Sequence, residues 1–199
     1  MYPVRIQLLL PGWMEELYPP QHQVYPALEG RMKLVLRLAR ENVIRQTGGP
    51  FAAAVFETES GKLIAVGVNR VEPMNCSIAH AEIMAIMLAQ ARLKTYDLGN
   101  DSRRPHELVS SAQPCAMCFG AILWSGITRL VFSARARDVK GILGFDEGPM
   151  PPSWKKELTT RGIDVLPPIL QREGREVLRL YREKGGIIYN SRRGASCQI

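Results

Sequence analysis

Two short motifs constrain the fold of this 199-residue chain more than any other feature. The first is HAE at His80–Glu82, and the second is PCAMC at Pro114–Cys118, a little over thirty residues later. Together they supply one imidazole and two thiols, a ligand set that is suited to zinc. If one metal ion binds all three groups, the fold has to bring both motifs to the same place.

The spacing within each motif predicts that both lie at helix N-termini. Cys115 and Cys118 are three positions apart and share one face of a helix, and Pro114 suits the start of that helix. His80 and Glu82 are two positions apart, which in the middle of a helix would point them about 200° from each other. Both can reach one metal only at the mouth of a helix. We therefore expect two helix N-termini to face the metal, where their dipoles stabilise thiolates.

Glu82 is a carboxylate that the metal does not need as a ligand. Three protein ligands leave the fourth position of zinc for water, whereas structural sites usually close it with another Cys or His. Zinc lowers the pKa of that water from about 15.7 to about 7, and a base is then needed to carry its proton. An isolated CxxC would also fit a redox pair or half of a structural zinc site. HxE followed by PCxxC is instead the signature of zinc-dependent nucleobase deaminases.

Composition narrows the class of protein. The length suits one domain with a sizeable core. Four cysteines, two of them assigned to the metal, do not support a disulfide framework, so we expect a reducing cytoplasm. The apolar run at 6–10 is too short for a signal peptide core or a membrane span. The net charge of +7 would permit contact with nucleic acid, but basic and acidic residues alternate at 172–193, which favours a solvated helix face.

Alternating strand-like and helix-like segments predict an α/β fold with a mixed sheet. Residues 1–27 are Pro-rich and form an irregular N-terminal extension, in which Trp13 and Tyr18 are candidate docking side chains. Helices are predicted at 29–45 and 80–91, and strands at 51–57, 62–69, 107–111, 129–133 and 162–166. Ser60-Gly61 predicts a hairpin connection. We expect the zinc near the carboxyl end of the 107–111 strand, where such sheets commonly bind ligands.

The segments AHAEI at Ala79–Ile83 and PCAMCFGAILW at Pro114–Trp124 resemble the cytidine deaminase superfamily, and within it the bacterial guanine deaminase branch. The resemblance is clear over about 48–148 and looser up to Tyr189. It implies a cytidine deaminase-like, three-layer α/β/α sandwich around a mixed five-stranded sheet. It also implies that 28–199 is a zinc-dependent deaminase domain with a C-terminal helical element and one Zn²⁺ per subunit, usually found as a homodimer.

The same resemblance assigns roles to residues outside the zinc motifs. Glu147 in GFDEGP matches a second acidic residue of guanine deaminases, while its neighbour Asp146 is interpreted as structural. Gln113 stands where the family usually has Glu, and we expect tuning of the site from this departure. Tyr189 resembles a C-terminal aromatic that reaches the active site, in its own subunit or a partner. The residues expected to bind the base are Phe51, Asn69, Ala81, Trp124 and Tyr189.

Each of these residues also has an ordinary explanation. Phe51 and Trp124 could simply be buried, Asn69 suits a strand end, and Tyr189 could dock a helix. If the resemblance holds, an amide at Asn69 suits a lactam edge because it both donates and accepts.

The function predicted from these residues is hydrolytic deamination of free guanine to xanthine and ammonia, with Glu82 as proton shuttle and Glu147 as a second proton donor. Alternatives are an aminotriazine deaminase of the ammeline type and a transfer-RNA adenosine deaminase. A noncatalytic zinc-binding module is least favoured, because it leaves both glutamates unexplained. The expected partner is a small purine or aminotriazine base, with no nucleic acid and no membrane.

Overall fold

The computed structural model describes residues 7–17 and 23–190, which build a mixed five-stranded sheet between helices. Its strand order is β2-β1-β3-β4-β5. β1 runs antiparallel to β2 and β3, whereas β4 and β5 run parallel to β3. The elements are α1 (Met14–Leu17), α2 (Leu28–Ile44), β1 (Ala52–Glu57), β2 (Leu63–Val68), α3 (Ala81–Leu93), β3 (His106–Ala112), α4 (Ala116–Ser125), β4 (Arg129–Ala134), α5 (Ala136–Leu143), α6 (Trp154–Thr159), β5 (Asp164–Val165) and α7 (Gln171–Glu183).

Helices cover both faces of the sheet and create two apolar cores. One core lies between the sheet and α2, α5 and α7, and the other lies between the sheet and α3, α4 and α6. β2 and β3 are buried along their whole length because both of their faces are covered. The predicted three-layer α/β/α sandwich with a mixed five-stranded sheet is confirmed. Across the described ranges, no helix is both long and apolar enough to cross a membrane.

The N-terminal region differs from the sequence prediction, whereas the C-terminal helix α7 agrees with it. The region predicted to be irregular contains the one-turn helix α1, and Trp13 is buried with its indole N–H donating to Thr47 Oγ1 at 2.9 Å. A single turn is too short to produce a periodic signal, which is why the pattern missed it. Tyr18 lies outside the described residues. At the other end, α7 buries one apolar stripe and exposes its charged residues, as expected for a solvated helix face.

A buried ion pair links the layers at the start of β3. Arg31 on α2 donates from Nη1 to Glu107 Oε1 at 2.6 Å, and Arg129 Nε on β4 lies 3.0 Å from Oε2. Burial raises the pKa of Glu107, although the hydrogen bond and charge of Arg31 and the charge of Arg129 oppose this. The carboxylate thus ties one helix and two strands together at the end of β3 opposite the metal motif.

At Gly67, α3 lies in direct backbone contact with β2. A methyl group at this position would overlap the carbonyl oxygen of Ala81 and lie 2.5 Å from the amide nitrogen of Ala85. No side chain of β2 therefore separates the first turn of the helix from the sheet. Because Ala81 directly follows His80, this contact determines where the first motif lies.

We expect Gly67→Ala to push α3 away from the sheet. Overpacking of this kind costs about 1–3 kcal/mol, so the free energy of unfolding in urea should fall by that amount, and zinc affinity should fall as His80 moves. Gly141→Ala is the matched control, because a methyl group there meets nothing within 4 Å and replaces a helical glycine. The control should keep or gain stability. Equal stability of wild type and Gly67→Ala would contradict the close contact.

Candidate active site

Both motifs open into one cavity of about 490 Å³ at the carboxyl end of β3. The loop that follows β3 supplies one side of it, and the segments around 145–149 and 189–190 supply the other. Most of the residues predicted for the site line this cavity. They are Phe51, Asn69, His80, Glu82, Cys115, Glu147 and Tyr189.

The three predicted metal ligands converge. His80 Nδ1 lies 3.6 Å from Sγ of Cys115 and 3.6 Å from Sγ of Cys118. All three ligand atoms lie within 4.8 Å of one another. Tetrahedral zinc, with Zn–S of about 2.3 Å and Zn–N of about 2.0–2.1 Å, requires a separation between sulfur and nitrogen of about 3.6 Å. The residues present therefore fit a zinc ion without rearrangement.

Two helix starts deliver these ligands. His80 is the N-cap residue of α3 and Cys115 is the N-cap residue of α4, both with extended backbone. Pro114 lies immediately before this cap. It therefore stands at the start of the helix, one residue before the cap and outside the first helical turn. Cys118 then lies one turn into α4, on the same side as Cys115. The result matches the expectation that two helix N-termini face one metal.

The thiols of Cys115 and Cys118 shift each other's pKa in opposite directions. A hydrogen bond from Cys118 and the nearby His80 outweigh burial and lower the pKa of Cys115 to about 4. The same hydrogen bond and burial raise the pKa of Cys118. Burial alone would lower the pKa of His80, but its hydrogen bond to Cys115 and the thiolate charge raise it. The pair therefore carries one negative charge readily, and its second thiol ionises only when a cation balances the charge.

Glu82 lies beside the ligands and is almost fully buried. Its Oε1 accepts a hydrogen bond from Ser110 Oγ at 3.0 Å, and its Oε2 lies 3.5 Å from Cys118 Sγ. Burial raises the pKa of this carboxyl group, and the negative charge of Cys115 adds to the effect. A carboxylate in this position can exchange protons with a molecule bound at the metal, which is the role predicted from its spacing.

Glu147 provides a second carboxyl group in the cavity wall. Its backbone oxygen accepts a hydrogen bond from the amide of Ala116 at 2.9 Å, which ties the 144–150 segment to the start of α4. Burial raises the pKa of Glu147 to about 8, and the negative charges of Cys115 and Glu82 contribute less. A divalent cation at the ligands would act in the opposite direction.

Asn69 is wholly buried, and its amide orientation is determined by the backbone around it. Its Oδ1 accepts hydrogen bonds from the amides of Gly49 and Val71, both at 3.3 Å. Its Nδ2 donates to the hydroxyl of Tyr189 at 2.6 Å. The nitrogen side of the amide therefore faces the cavity, since the oxygen side is already used.

Aromatic rings line the apolar part of the cavity. The ring centroid of Phe145 lies 5.7 Å from that of Phe51 and 4.8 Å from that of Tyr189. Tyr189 also approaches the imidazole of His80, with 6.3 Å between centroids. The tyrosine that completes the site therefore comes from the same chain in this structure.

Two predicted substrate contacts do not reach the cavity. Trp124 is 89% exposed on the outer side of α4. It comes six residues after Cys118, which places it about 120° around the helix from the metal face. Ala81 is the first residue of α3; it is fully buried where the helix packs against Gly67 of β2, and it does not line the cavity. Both expectations are corrected for a single chain.

Several cavity residues were missed by sequence reasoning. Phe145 belongs to the GFDEGP segment but was not singled out, because an isolated Phe in a loop has no periodic signal. Asn190 accepts from the amide of Asp146 at 2.8 Å and donates to the Gly144 carbonyl at 2.9 Å. Gln113, already singled out from the sequence as a departure from the family's usual Glu, also lines the cavity; it accepts from the amide of Ala136 at 3.3 Å and so links the metal turn to α5. The remaining ones are Ser77, Ala112, Ala116, Met117, Gly148 and Pro149.

Comparison with known proteins places this geometry in context. The family model described as cytidine and deoxycytidylate deaminase zinc-binding region matches residues 27–134. A solved guanine deaminase from Nitrosomonas europaea is 48% identical, and the match covers 92% of this chain and 99% of that one with a TM-score of 0.86. A structure in complex with 2,6-diaminopurine is 50% identical over 94% of this chain and 97% of that one, with a TM-score of 0.86. The guanine deaminase of Bacillus subtilis (strain 168) is 36% identical over 116 residues, which are 58% of this chain and 69% of that protein.

The ligand set predicts a metal stoichiometry. We expect the purified protein to bind one equivalent of zinc, measured by mass spectrometry of the metal after dialysis. Cys118→Ser should weaken zinc binding by more than the roughly 10- to 100-fold that is typical for loss of an outer-shell partner, because a direct ligand is removed.

Cys76→Ser is the matched control, since this thiol is not part of the ligand cluster. It should retain a full equivalent of zinc. If Cys118→Ser bound zinc as tightly as the control, the three-ligand site would be wrong.

Proposed function

Because this chain belongs to the family defined by the cytidine and deoxycytidylate deaminase zinc-binding region, we propose that it hydrolyses free guanine to xanthine and ammonia. One observation carries this choice of substrate. The buried amide of Asn69 and the second carboxyl group of Glu147 line the same cavity as the metal ligands, and Tyr189, which accepts a hydrogen bond from Asn69, lines it as well. The similarity to guanine deaminases over almost the whole chain supports the same substrate.

Asn69 has the correct polarity for the lactam edge of guanine. An amide nitrogen carries two hydrogens, of which one is donated to Tyr189. The second hydrogen suits the ring carbonyl, O6. The rings of Phe51, Phe145 and Tyr189 offer apolar surfaces for the flat faces of the purine. Guanine would then be oriented with its amino group toward the metal ligands.

The two carboxyl groups divide the proton transfers. A zinc ion held by His80 and the two thiolates would lower the pKa of a bound water to about 7. Glu82 accepts the proton that this water loses and donates it to the ring nitrogen next to C2 as oxygen adds to C2. Glu147 donates a proton to the departing amine while Glu82 accepts the proton of the new C2 hydroxyl group, so that the C2–N bond breaks, the C2 carbonyl forms and ammonia leaves. The proton on Glu82 then returns to Glu147 through solvent, and the net reaction consumes one water.

Other substrates differ in what the cavity would have to admit. Aminotriazines of the ammeline type present the same amino-lactam edge and would use Asn69 in the same way. An adenosine within transfer RNA needs an open groove for its backbone and neighbouring bases. The wall formed by Glu147, Tyr189 and Asn190 favours a free base instead.

The ligand chemistry also supports a location. Two reduced thiols are needed for the metal, so a reducing compartment such as the cytoplasm suits the protein. Removal of the amino group from free guanine would serve purine catabolism.

A screen of free bases tests the function. We expect ammonia release from guanine to exceed that from adenine, cytosine and ammeline, with inosine formation in transfer RNA absent. Glu82→Ala should keep its zinc and lose about 10²- to 10⁴-fold in kcat, the range for general acid–base catalysis. Glu147→Gln should also keep zinc and lose turnover, because an amide cannot donate the proton.

Glu157→Gln is the control for loss of a carboxylate, since this residue lies on α6, is absent from the cavity lining and forms a surface ion pair with Arg161. It should behave as wild type. Full activity of Glu82→Ala, or stoichiometric zinc with no ammonia release from any base, would contradict the proposed function.

The outer face of α4 supports a homodimer. Every residue of this helix is apolar or small, yet the described chain buries only Cys118, Ile122 and Ser125. A helix that is apolar all round is expected to be covered on both sides. Trp124 is 89% exposed, and Tyr96 is 88% exposed on the loop whose Leu98 amide donates to the Ser125 carbonyl. We assign this face to contact with a second copy of the chain, which gives Trp124 a role outside its own cavity.

Trp124→Lys should separate the dimer. A charged side chain in the centre of an apolar interface is costly, so the mass measured by light scattering after gel filtration should fall from two chains to one. Leu9→Lys is the matched control, because Leu9 is an exposed apolar residue on another surface. It should leave the mass unchanged. A wild-type mass of one chain would rule out the dimer.

A further inference from the structure

Ser110 is a buried polar residue in β3, a strand that is buried along its whole length. It lies in β3, the central strand of the sheet, with Ala53 and Phe132 as its neighbours on the adjoining strands. Its side chain is almost inaccessible to solvent. A buried hydroxyl is costly unless it is hydrogen-bonded, and alanine would fill the same space. The residue therefore needs an explanation beyond packing.

The partner of this hydroxyl is the carboxylate of Glu82. Ser110 Oγ donates to Oε1 at 3.0 Å, and both side chains are buried. The other oxygen, Oε2, is turned toward Cys118 Sγ at 3.5 Å. The two oxygens of the carboxylate thus have different surroundings, with one held by the sheet and one facing the metal ligands.

This difference matters because the last torsion of a glutamate side chain is broad and roughly two-fold. The backbone at the start of α3 and the first two side-chain torsions determine where the carboxyl carbon lies, but they do not determine the rotation of the carboxylate plane. A hydrogen bond to one oxygen restrains that rotation. Small misplacements of a reacting group are known to lower rates by on the order of 10²-fold.

We propose that Ser110 is a positioning residue for the deamination, whose hydroxyl holds Glu82 with Oε2 directed at the reacting water. The inference rests on the proposed function, since it assumes that Glu82 carries the protons. Ser110 lies on the face of β3 that carries α3, so it acts from beneath the cavity and touches neither the base nor the metal ligands directly.

Ser110→Ala tests the role of the hydroxyl. We expect kcat for guanine to fall about 10- to 100-fold, the range for loss of an outer-shell partner. KM should stay within about twofold and zinc should remain at one equivalent, because neither the base contacts nor the ligands change. Ser110→Thr restores a hydroxyl in a residue type that strands favour, and it should recover kcat to within about threefold of wild type.

Ser111→Ala is the matched control. Ser111 is the next residue of β3 and is also buried, but its hydroxyl lies on the opposite face and accepts from the Ala52 amide at 3.1 Å. Its loss should lower the thermal midpoint without changing kcat for guanine. A comparable fall in kcat for Ser111→Ala would mean that general loosening of β3 explains the effect, and would overturn the inference.

Two further results would also overturn it. One is wild-type kcat in Ser110→Ala, and the other is Ser110→Thr with a kcat as low as the alanine variant. Failure of the proposed function is distinguishable, because it would show in the wild type as an absence of ammonia release or in Glu82→Ala as full activity. If the wild type is active and Glu82→Ala is inactive, the proposed function holds, and the Ser110 variants then test only the positioning role.

Discussion

The close approach of α3 to the sheet is the constraint on which the site depends. At Gly67 the helix backbone lies directly on β2, and any side chain at this position would overlap the first turn of the helix. His80 and Glu82 sit in that first turn, so their distance from the end of β3 follows from it. The second helix start, at Cys115, is reached only three residues after β3 ends. The short connection after β3 and the glycine contact therefore place the two helix starts, and with them the metal ligands, next to each other.

The site buries several acidic groups close together. Two thiols and two carboxyl groups share a region with little solvent, and the pKa values of Glu82 and Glu147 are both raised by burial. Such a cluster cannot be fully ionised unless a cation balances it. A metal held by His80 and the thiolates supplies that charge. Burial raises the pKa of both glutamates, whereas the charge of a bound metal would lower it, so the balance of the two determines how readily these groups exchange protons.

The sequence predicts the chemistry better than it predicts the walls of the cavity. The motif spacing was enough to place two helix starts at one metal, because helical geometry relates position to direction. Trp124 was expected in the cavity from resemblance, although the helical period already turns it away from Cys118. The ion pair of Arg31 with Glu107 joins residues distant in sequence, and a charged residue at a strand start gives no sign of burial. Phe145 and Asn190 become cavity residues only through folding of the segments that carry them.

The metal ligands and several residues of the cavity wall lie in different parts of the chain. The metal ligands and Glu82 fall within residues 27–134, the part that matches the deaminase family model. Phe145, Glu147 and Tyr189 come after it, and they reach the cavity through hydrogen bonds such as that from Ala116 to the Glu147 carbonyl and that from Asn69 to Tyr189. The first part therefore supplies the metal ligands and Glu82, and the second part supplies much of the wall that a bound base would meet. Substrate preference in this chain should then depend on how firmly the late segments are held against the early ones, with Asn69 as a residue where the two parts meet.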